Sequence, residues 1–268
     1  MGPAIAPGAS AGATILLVHG WGVSGALFEA QLASLSVDFR VVAPDLPGHG
    51  QSADFPEGAA FGWMADCLAA LVRELGLRDL CLVGWSMGAM VSWDLLRRYP
   101  DLEISGLVTV DMVPRLLNDA GWRFGLREGA DHHVFDRNIR WMRDDWAGYT
   151  RLFIPRIFAR EANGRKRELE AHCLDIARGN APGNMARIWA CMVEQDFRMD
   201  LPRFRQPARV VAGALSQLYG LPAAEWITRQ MPRAELLTFE HSGHAPHLEQ
   251  PDAFNRALAD FAAGLRDT

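Results

Sequence analysis

The stretch Gly84-Trp85-Ser86-Met87-Gly88 sets a serine between two glycines, a spacing whose chemistry is nucleophilic attack by the hydroxyl. The apolar run Leu80-Cys81-Leu82-Val83 leads in, and a helix-compatible segment from Met87 to about Tyr99 leads out before Pro100. Strand, sharp turn and helix together expose Ser86 on a strained backbone, at a helix N-terminus whose dipole favours developing negative charge. A Cβ at Gly84 or Gly88 would crowd the neighbouring strand and helix. The hydroxyl needs a base within hydrogen-bond reach and a third group to orient that base. His244 is the best-placed base: Ser242-Gly243-His244-Ala245-Pro246 falls between the last expected strand and the last expected helix, on the same sheet edge as Ser86. Backbone N–H donors must face the oxygen that becomes negative. Met87 N–H follows the nucleophile directly, and the second donor is expected from His19-Gly20-Trp21-Gly22, at the Trp21 N–H. Trp21 and Trp85 are the candidate substrate contacts; the Trp21 indole either walls a pocket or packs beneath neighbouring helices.

The elements that must position these groups alternate. Short apolar runs at residues 14–18, 39–43, 80–83, 105–110, 208–212 and 235–239 read as strands. Helical patterns lie near 27–35, 63–75, 87–99 and 223–230, with a last helix opened by Pro251 and carrying Phe254, Leu258 and Phe261. The 63–75 helix places Met64, Leu68, Leu71, Val72 and Leu75 on one face and stops at Gly76. Strands apolar on both faces, alternating with helices, predict an α/β class: a mostly parallel twisted sheet flanked by helices. Between 112 and 206 the alternation gives way to helical segments rich in Trp and Arg. The expected organisation is therefore a core of residues 1–111 and 207–268, with a helical cap of 112–206 inserted in it. That cap holds 17 basic and 13 acidic side chains, against 10 and 19 in the remainder. The asymmetry suits a docking face for an anionic partner, or reflects a general preference for Arg, since Lys166 is the chain's one lysine.

Two other patterns compete. Gly20-Trp21-Gly22-Val23-Ser24-Gly25 satisfies a dinucleotide-binding spacing after a strand, with Asp45 where a ribose-binding carboxylate would stand. Against it, a bulky Trp21 sits where a pyrophosphate must approach, and Ser86 and His244 would be left without a role. His241, His244 and His247 recur at three-residue spacing, yet Gly243 and Pro246 break the helix that would stack them as metal ligands.

Leu17-Val18-His19-Gly20-Trp21-Gly22, Asp45-Leu46-Pro47-Gly48-His49-Gly50-Gln51-Ser52, the Ser86 stretch and Gly243-His244-Ala245-Pro246 together resemble the α/β-hydrolase family over nearly the whole chain outside the cap. Within it, the His-Gly-Trp-Gly loop, Gly-Trp-Ser and His-Ala-Pro are similar to the esterases that demethylate pimeloyl-carrier-protein methyl ester in biotin synthesis. The resemblance implies a serine carboxylesterase that acts through a Ser-His-Asp triad on a small or acyl-chain ester, with no cofactor and no metal. It also exposes a departure. The family usually carries its acid in a Gly-x-x-Asp turn, but the turn here reads Gly213-Ala214-Leu215-Ser216-Gln217, and a serine cannot stabilise an imidazolium. Some members take the acid from the end of the preceding strand, here Asp111 in Leu107-Val108-Thr109-Val110-Asp111. A carboxylate closing an apolar strand is otherwise costly to place; capping a cap helix is the alternative for Asp111, and Asp196, Asp200 and Glu225 are lesser candidates for the acid. Cofactor-free oxygenase or haloperoxidase chemistry, and slow-turnover ligand reception, are the rival uses of such a fold.

With 268 residues, 49% of them hydrophobic, the chain can bury a sizeable core. A net charge of −5 recommends neither nucleic acid nor an anionic membrane as partner. Cys67, Cys81, Cys173 and Cys191 lack paired spacing and suggest free thiols, hence a cytoplasmic setting. Residues 1–13 carry no basic leader pattern, and no apolar run reaches membrane-spanning length. The expected partners are a small-molecule ester and, as a candidate, an acyl carrier protein.

Overall fold

A computed structural model of the chain describes residues 4–6, 14–52, 54–126, 131–160 and 164–265. Strand β1 (Ala4–Ala6) is followed by β2 (Thr14–Val18), helix α1 (Glu29–Leu35), β3 (Arg40–Ala43), α2 (Gly62–Glu74), β4 (Leu80–Trp85), α3 (Met87–Arg98) and β5 (Ile104–Val110). Helices α4 (His132–Asp144), α5 (Trp146–Phe153), α6 (Gly164–Arg178) and α7 (Pro182–Val193) come next in the chain. The sheet then resumes with β6 (Ala208–Gly213), α8 (Leu221–Gln230), β7 (Ala234–Phe239), the short α9 (Pro246–Glu249) and α10 (Pro251–Gly264).

The seven strands lie in the order β1-β3-β2-β4-β5-β6-β7. All neighbours run parallel except β1, which pairs antiparallel with β3. Every residue of β2 and β4 is buried, as strands covered on both faces require. The chain leaves β2 towards β3 on one side and leaves β4 towards β5 on the other. Right-handed crossovers in opposite directions put α1 and α3 on opposite faces, and they open a crevice between the carboxyl ends of β2 and β4. α1 packs on α10, and α2 on α3. The 63–75 helix ends as its pattern requires: Gly76 takes φ 57°. The cap helices pair α4 with α7 and α5 with α6, and side-chain carboxylates of Asp131 and Asp145 cap the N-termini of α4 and α5.

Two strands depart from expectation. β1 is too short for any periodicity to reveal and is held by its ladder to β3; the rest of the 1–13 stretch lies outside the described residues. β7, at the far edge of the sheet, fully buries only Phe239, and Leu236 is 37% exposed. The four cysteines are free thiols, and burial pushes those of Cys81 and Cys173 up to about 12, which leaves them as inert core residues. No helix among the described residues is long and apolar enough to cross a membrane.

Candidate active site

Ser86 closes β4 and caps α3 with φ 55° and ψ −125°, a region L-residues rarely enter and one that surrounding structure must enforce. The enforcement is visible. Ser86 N–H donates to the Val110 carbonyl at 2.9 Å, and Ala89 N–H closes the first helical turn on the Ser86 carbonyl at 2.8 Å. A Cβ on Gly84 would meet the Gly88 carbonyl and come within 2.6 Å of Ala89 Cα, and one on Gly88 would collide with the Val18 carbonyl. Both glycines are thus required by close backbone approach, one between β4 and α3 and one between α3 and β2.

The two sequence-identified partners of Ser86 meet 133 positions apart in the chain: His244 Nδ1 lies 2.7 Å from Asp111 Oδ2, with side chains 2% and 3% exposed. An ionised carboxylate only accepts, so the imidazole carries its proton on Nδ1 and leaves Nε2 as a lone pair. Asp111, like Ser86, has a positive φ, 45°. Its own N–H bonds the Val211 carbonyl at 2.8 Å, which ties the turn at the end of β5 to β6. Gly213 N–H reaches Asp111 Oδ1 at 3.3 Å, and the Ser216 hydroxyl donates to Oδ2 at 2.6 Å. The Asp111 side chain therefore caps no helix; α4 is capped by Asp131. Asp196 pairs with Arg198, Asp200 with Arg97, and Glu225 with Arg229, so each of the lesser carboxylates is engaged elsewhere.

The loops that present these groups are pinned from behind. A Cβ on Gly20 would lie 3.2 Å from Ser86 Cβ, so the loop after β2 backs directly onto Ser86. His19, fully buried, accepts the Leu46 N–H on Nε2 at 2.8 Å and holds its Nδ1 2.7 Å from the Gly20 carbonyl. Burial holds its pKa below the ordinary imidazole value, which suits the neutral tautomer those two bonds require. Asp45 accepts Gly25 N–H on one oxygen and Gln51 N–H on the other, at 2.8 and 2.9 Å. The carboxylate that matched a ribose ligand by spacing is spent on two loops, and Gly25 opens a 3-10 turn rather than a phosphate cradle. Trp85, 2% exposed, gives its indole N–H to the His244 carbonyl at 2.8 Å. Glu249, not anticipated from sequence, accepts Gly243 N–H and Ala159 N–H at 2.7 and 2.9 Å. It ties the His244 loop to the turn after α5, and burial raises its pKa. His247 turns away from the site and packs on Phe28 and Phe254.

Ser86, His244, Trp21 and Trp85 line one cavity of about 20 Å³, closed by Phe153 and Trp189 of the cap and by Tyr219. Trp21 satisfies both of its alternatives. Its ring packs against Trp146, Tyr149, Phe153 and Trp189 at centroid distances of 4.7–6.0 Å, and its indole N–H donates to the Met185 carbonyl of α7 at 3.0 Å. Tyr219 stands 5.6 Å from the His244 ring; burial and the Asp111 charge raise its pKa and keep the phenol protonated. A larger cavity, about 730 Å³, opens beside Asp45, Trp63 and Cys67 and contains none of these groups.

A strained serine on the strand–turn–helix, a buried His–Asp pair and a loop packed against the serine thus meet at the carboxyl ends of the strands of a doubly wound sheet. The chain matches the Alpha/beta hydrolase family over residues 15–257 and belongs to that family. It is a serine hydrolase of the carboxylic ester class. Among its relatives, the pimeloyl-[acyl-carrier protein] methyl ester esterase of Aromatoleum aromaticum is 30% identical over 260 residues, covering 93% of this chain and 98% of that one. The thermophilic esterase of Thermogutta terrifontis superposes with TM-score 0.85 at 26% identity, over 98% of this chain and 93% of that one. An esterase of Exiguobacterium antarcticum shares the fold with TM-score 0.88 at 21% identity, over 97% and 94% of the two chains.

Proposed function

We propose that Ser86, His244 and Asp111 form the catalytic triad of this esterase. The observation that carries the reading is the buried 2.7 Å contact between His244 Nδ1 and Asp111 Oδ2, beside a serine on a strained turn in the same cavity. In this mechanism His244 Nε2 takes the Ser86 proton as Oγ attacks the ester carbon. Asp111 holds the ring in its Nδ1–H tautomer and stabilises the imidazolium. The N–H groups of Trp21 and Met87 receive the oxyanion, aided by the N-terminus of α3. His244 then returns the proton to the departing alkoxide, and water, activated by the same base, releases the acid from the acyl-enzyme.

The aromatic lining, with Trp21 as its inner wall, favours an apolar acyl group. A cavity of about 20 Å³ has room for about one water, which needs roughly 10–15 Å³ on the same measure, and not for an acyl chain, so the chain enters as Trp189 and Phe153 move aside with a cap formed by residues 112–206. The finer reading is a carrier-linked ester. It is supported by the name of the Aromatoleum aromaticum relative and by the excess of exposed arginines over carboxylates within α4, where Arg137, Arg140 and Arg143 are flanked by Asp136 and Asp144, a net positive face that an acidic carrier protein would complement. Four free thiols fit a cytoplasmic setting for that partner.

Fluorophosphonate labelling and aryl ester hydrolysis test the triad. Ser86→Ala should abolish both, and Asp111→Asn should lower kcat by about ten-thousandfold, the loss seen when a triad acid is neutralised. Near-wild-type turnover by Asp111→Asn would remove Asp111 from the mechanism. A carrier-linked substrate should show turnover that falls steeply with salt, and salt-insensitive turnover would remove the carrier reading.

A further inference from the structure

We propose that Ser216 is a positioning residue for the triad acid: its hydroxyl fixes the Asp111 carboxylate against His244 and shares its charge. The inference rests on the triad reading above. Asp111 is nearly without solvent, so the charge it must keep through the reaction is stabilised by the donors around it. Three such donors are present among the described residues: His244 Nδ1–H, Gly213 N–H and the Ser216 hydroxyl.

The direction of the Ser216 bond follows from its other contacts. Its Oγ accepts the N–H groups of Leu218 and Tyr219, each at 3.3 Å, so the lone pairs are engaged on the loop side and the single proton goes to Asp111 Oδ2. That oxygen is the one His244 uses. With Gly213 holding Oδ1 and Ser216 holding Oδ2, rotation of the carboxylate plane is blocked, and Oδ2 keeps its lone pair on the imidazole. The restraint matters because Asp111 hangs from a strained backbone at φ 45°, beyond the last residue of β5. Ser216 also shares the carboxylate charge with a third donor, so its removal lets Asp111 pull more strongly on the His244 proton.

Ser216→Ala should therefore lower kcat about tenfold with KM within about twofold of wild type, the pattern of an interaction that counts in the transition state. The acid limb of the kcat/KM profile should move to higher pH. The other titratable groups about His244 are Tyr219, His247 and Glu249, and the substitution leaves their charges unchanged. Ser216→Thr, which keeps the hydroxyl, should restore kcat and the acid limb; Ser216→Cys, a weak donor of similar shape, should behave as Ala does and serves if the Ala variant does not fold. In proton NMR the His244 Nδ1–H resonance, assigned by its loss in His244→Gln, should shift in Ser216→Ala or Ser216→Cys. An unshifted resonance with unchanged kcat and acid limb overturns the proposal. So does a loss confined to KM that Thr fails to restore, which would leave Ser216 a loop-shaping residue only. Failure of the triad reading looks different: turnover would persist in Ser86→Ala while the resonance still responded to position 216.

Discussion

His247 makes the fold's stability acid-sensitive in a way that can be worked out in advance. The side chain is fully buried against Phe28, Trp85 and Phe254, and neither ring nitrogen has a hydrogen-bond partner among the described residues. Burial, with a smaller contribution from His244, brings its pKa down to about 3. The ordinary value, about 6.5, holds in the unfolded chain. A histidine whose folded pKa is depressed binds fewer protons folded than unfolded between those values, so stability falls as pH drops below 6.5 and stops falling near 3. Between pH 7.5 and 5.0 the loss from this one side chain is about 2 kcal/mol, at a limiting slope of about 1.4 kcal/mol per pH unit. His19 and His49, also fully buried with depressed pKa values, add to the slope in the same sense. The carboxylates with depressed values, such as Asp66 and Asp196, act only as pH falls towards and below their ordinary value of 3.8, while Glu249 and Asp94, raised by burial, act in the opposite sense. The contribution of His247 is therefore read from the difference between wild type and a variant that lacks it. Urea unfolding at pH 7.5 and 5.0, for wild type and His247→Leu, measures the effect. The variant should lose about 2 kcal/mol less than wild type on acidification, whatever its stability at pH 7.5. Equal pH dependence in the two proteins would show that His247 is not held neutral by the core.

Two further predictions concern backbone approach and the cavity. Gly88→Ala would drive a Cβ into the Val18 carbonyl; backbone cannot swing aside as a flexible side chain does, so β2 and its loop must shift, at a cost of about 3 kcal/mol or more in urea unfolding with loss of fluorophosphonate labelling. A Gly88→Ala protein with wild-type stability and labelling would contradict the packing of α3 on β2. Trp189→Leu removes part of the wall beside Ser86 and should shift preference across an aryl ester panel towards longer acyl chains by roughly tenfold in relative kcat/KM, on the order of what one or two methylenes are worth in an apolar pocket. An unchanged chain-length profile would mean that the acyl group lies elsewhere.

The order of strands and helices was legible because the central parallel strands are buried on both faces and so appear as uninterrupted apolar runs, with Gly76 and Pro251 punctuating the helices. Ser86 and its glycines were legible because the strand, turn and helix that carry them are contiguous in the chain, although the backbone that Gly88 approaches belongs to β2. Partnerships across the sheet are another matter. Asp111 could be singled out through family likeness, but nothing in residues 107–111 distinguishes a triad acid from a helix cap; that distinction comes from His244 and Ser216, 133 and 105 positions away. The same limit applies to Asp45, whose spacing alone also suits a ribose ligand while its oxygens bind two loop amides. Ser216 shows the limit most clearly. As a one-residue pattern it reads as a lost carboxylate, a defect in the turn after β6. Set beside β5 it donates to the Asp111 carboxylate, at the place where both strands end. The acid and its hydrogen-bond donor thus occupy adjacent parallel strands' carboxyl ends, and the sheet register that pairs Val110 with Val211 is what brings them within 2.6 Å. A change at either position is felt at the other, so Asp111→Asn and Ser216→Ala should be non-additive in kcat, the double variant being little worse than Asp111→Asn alone.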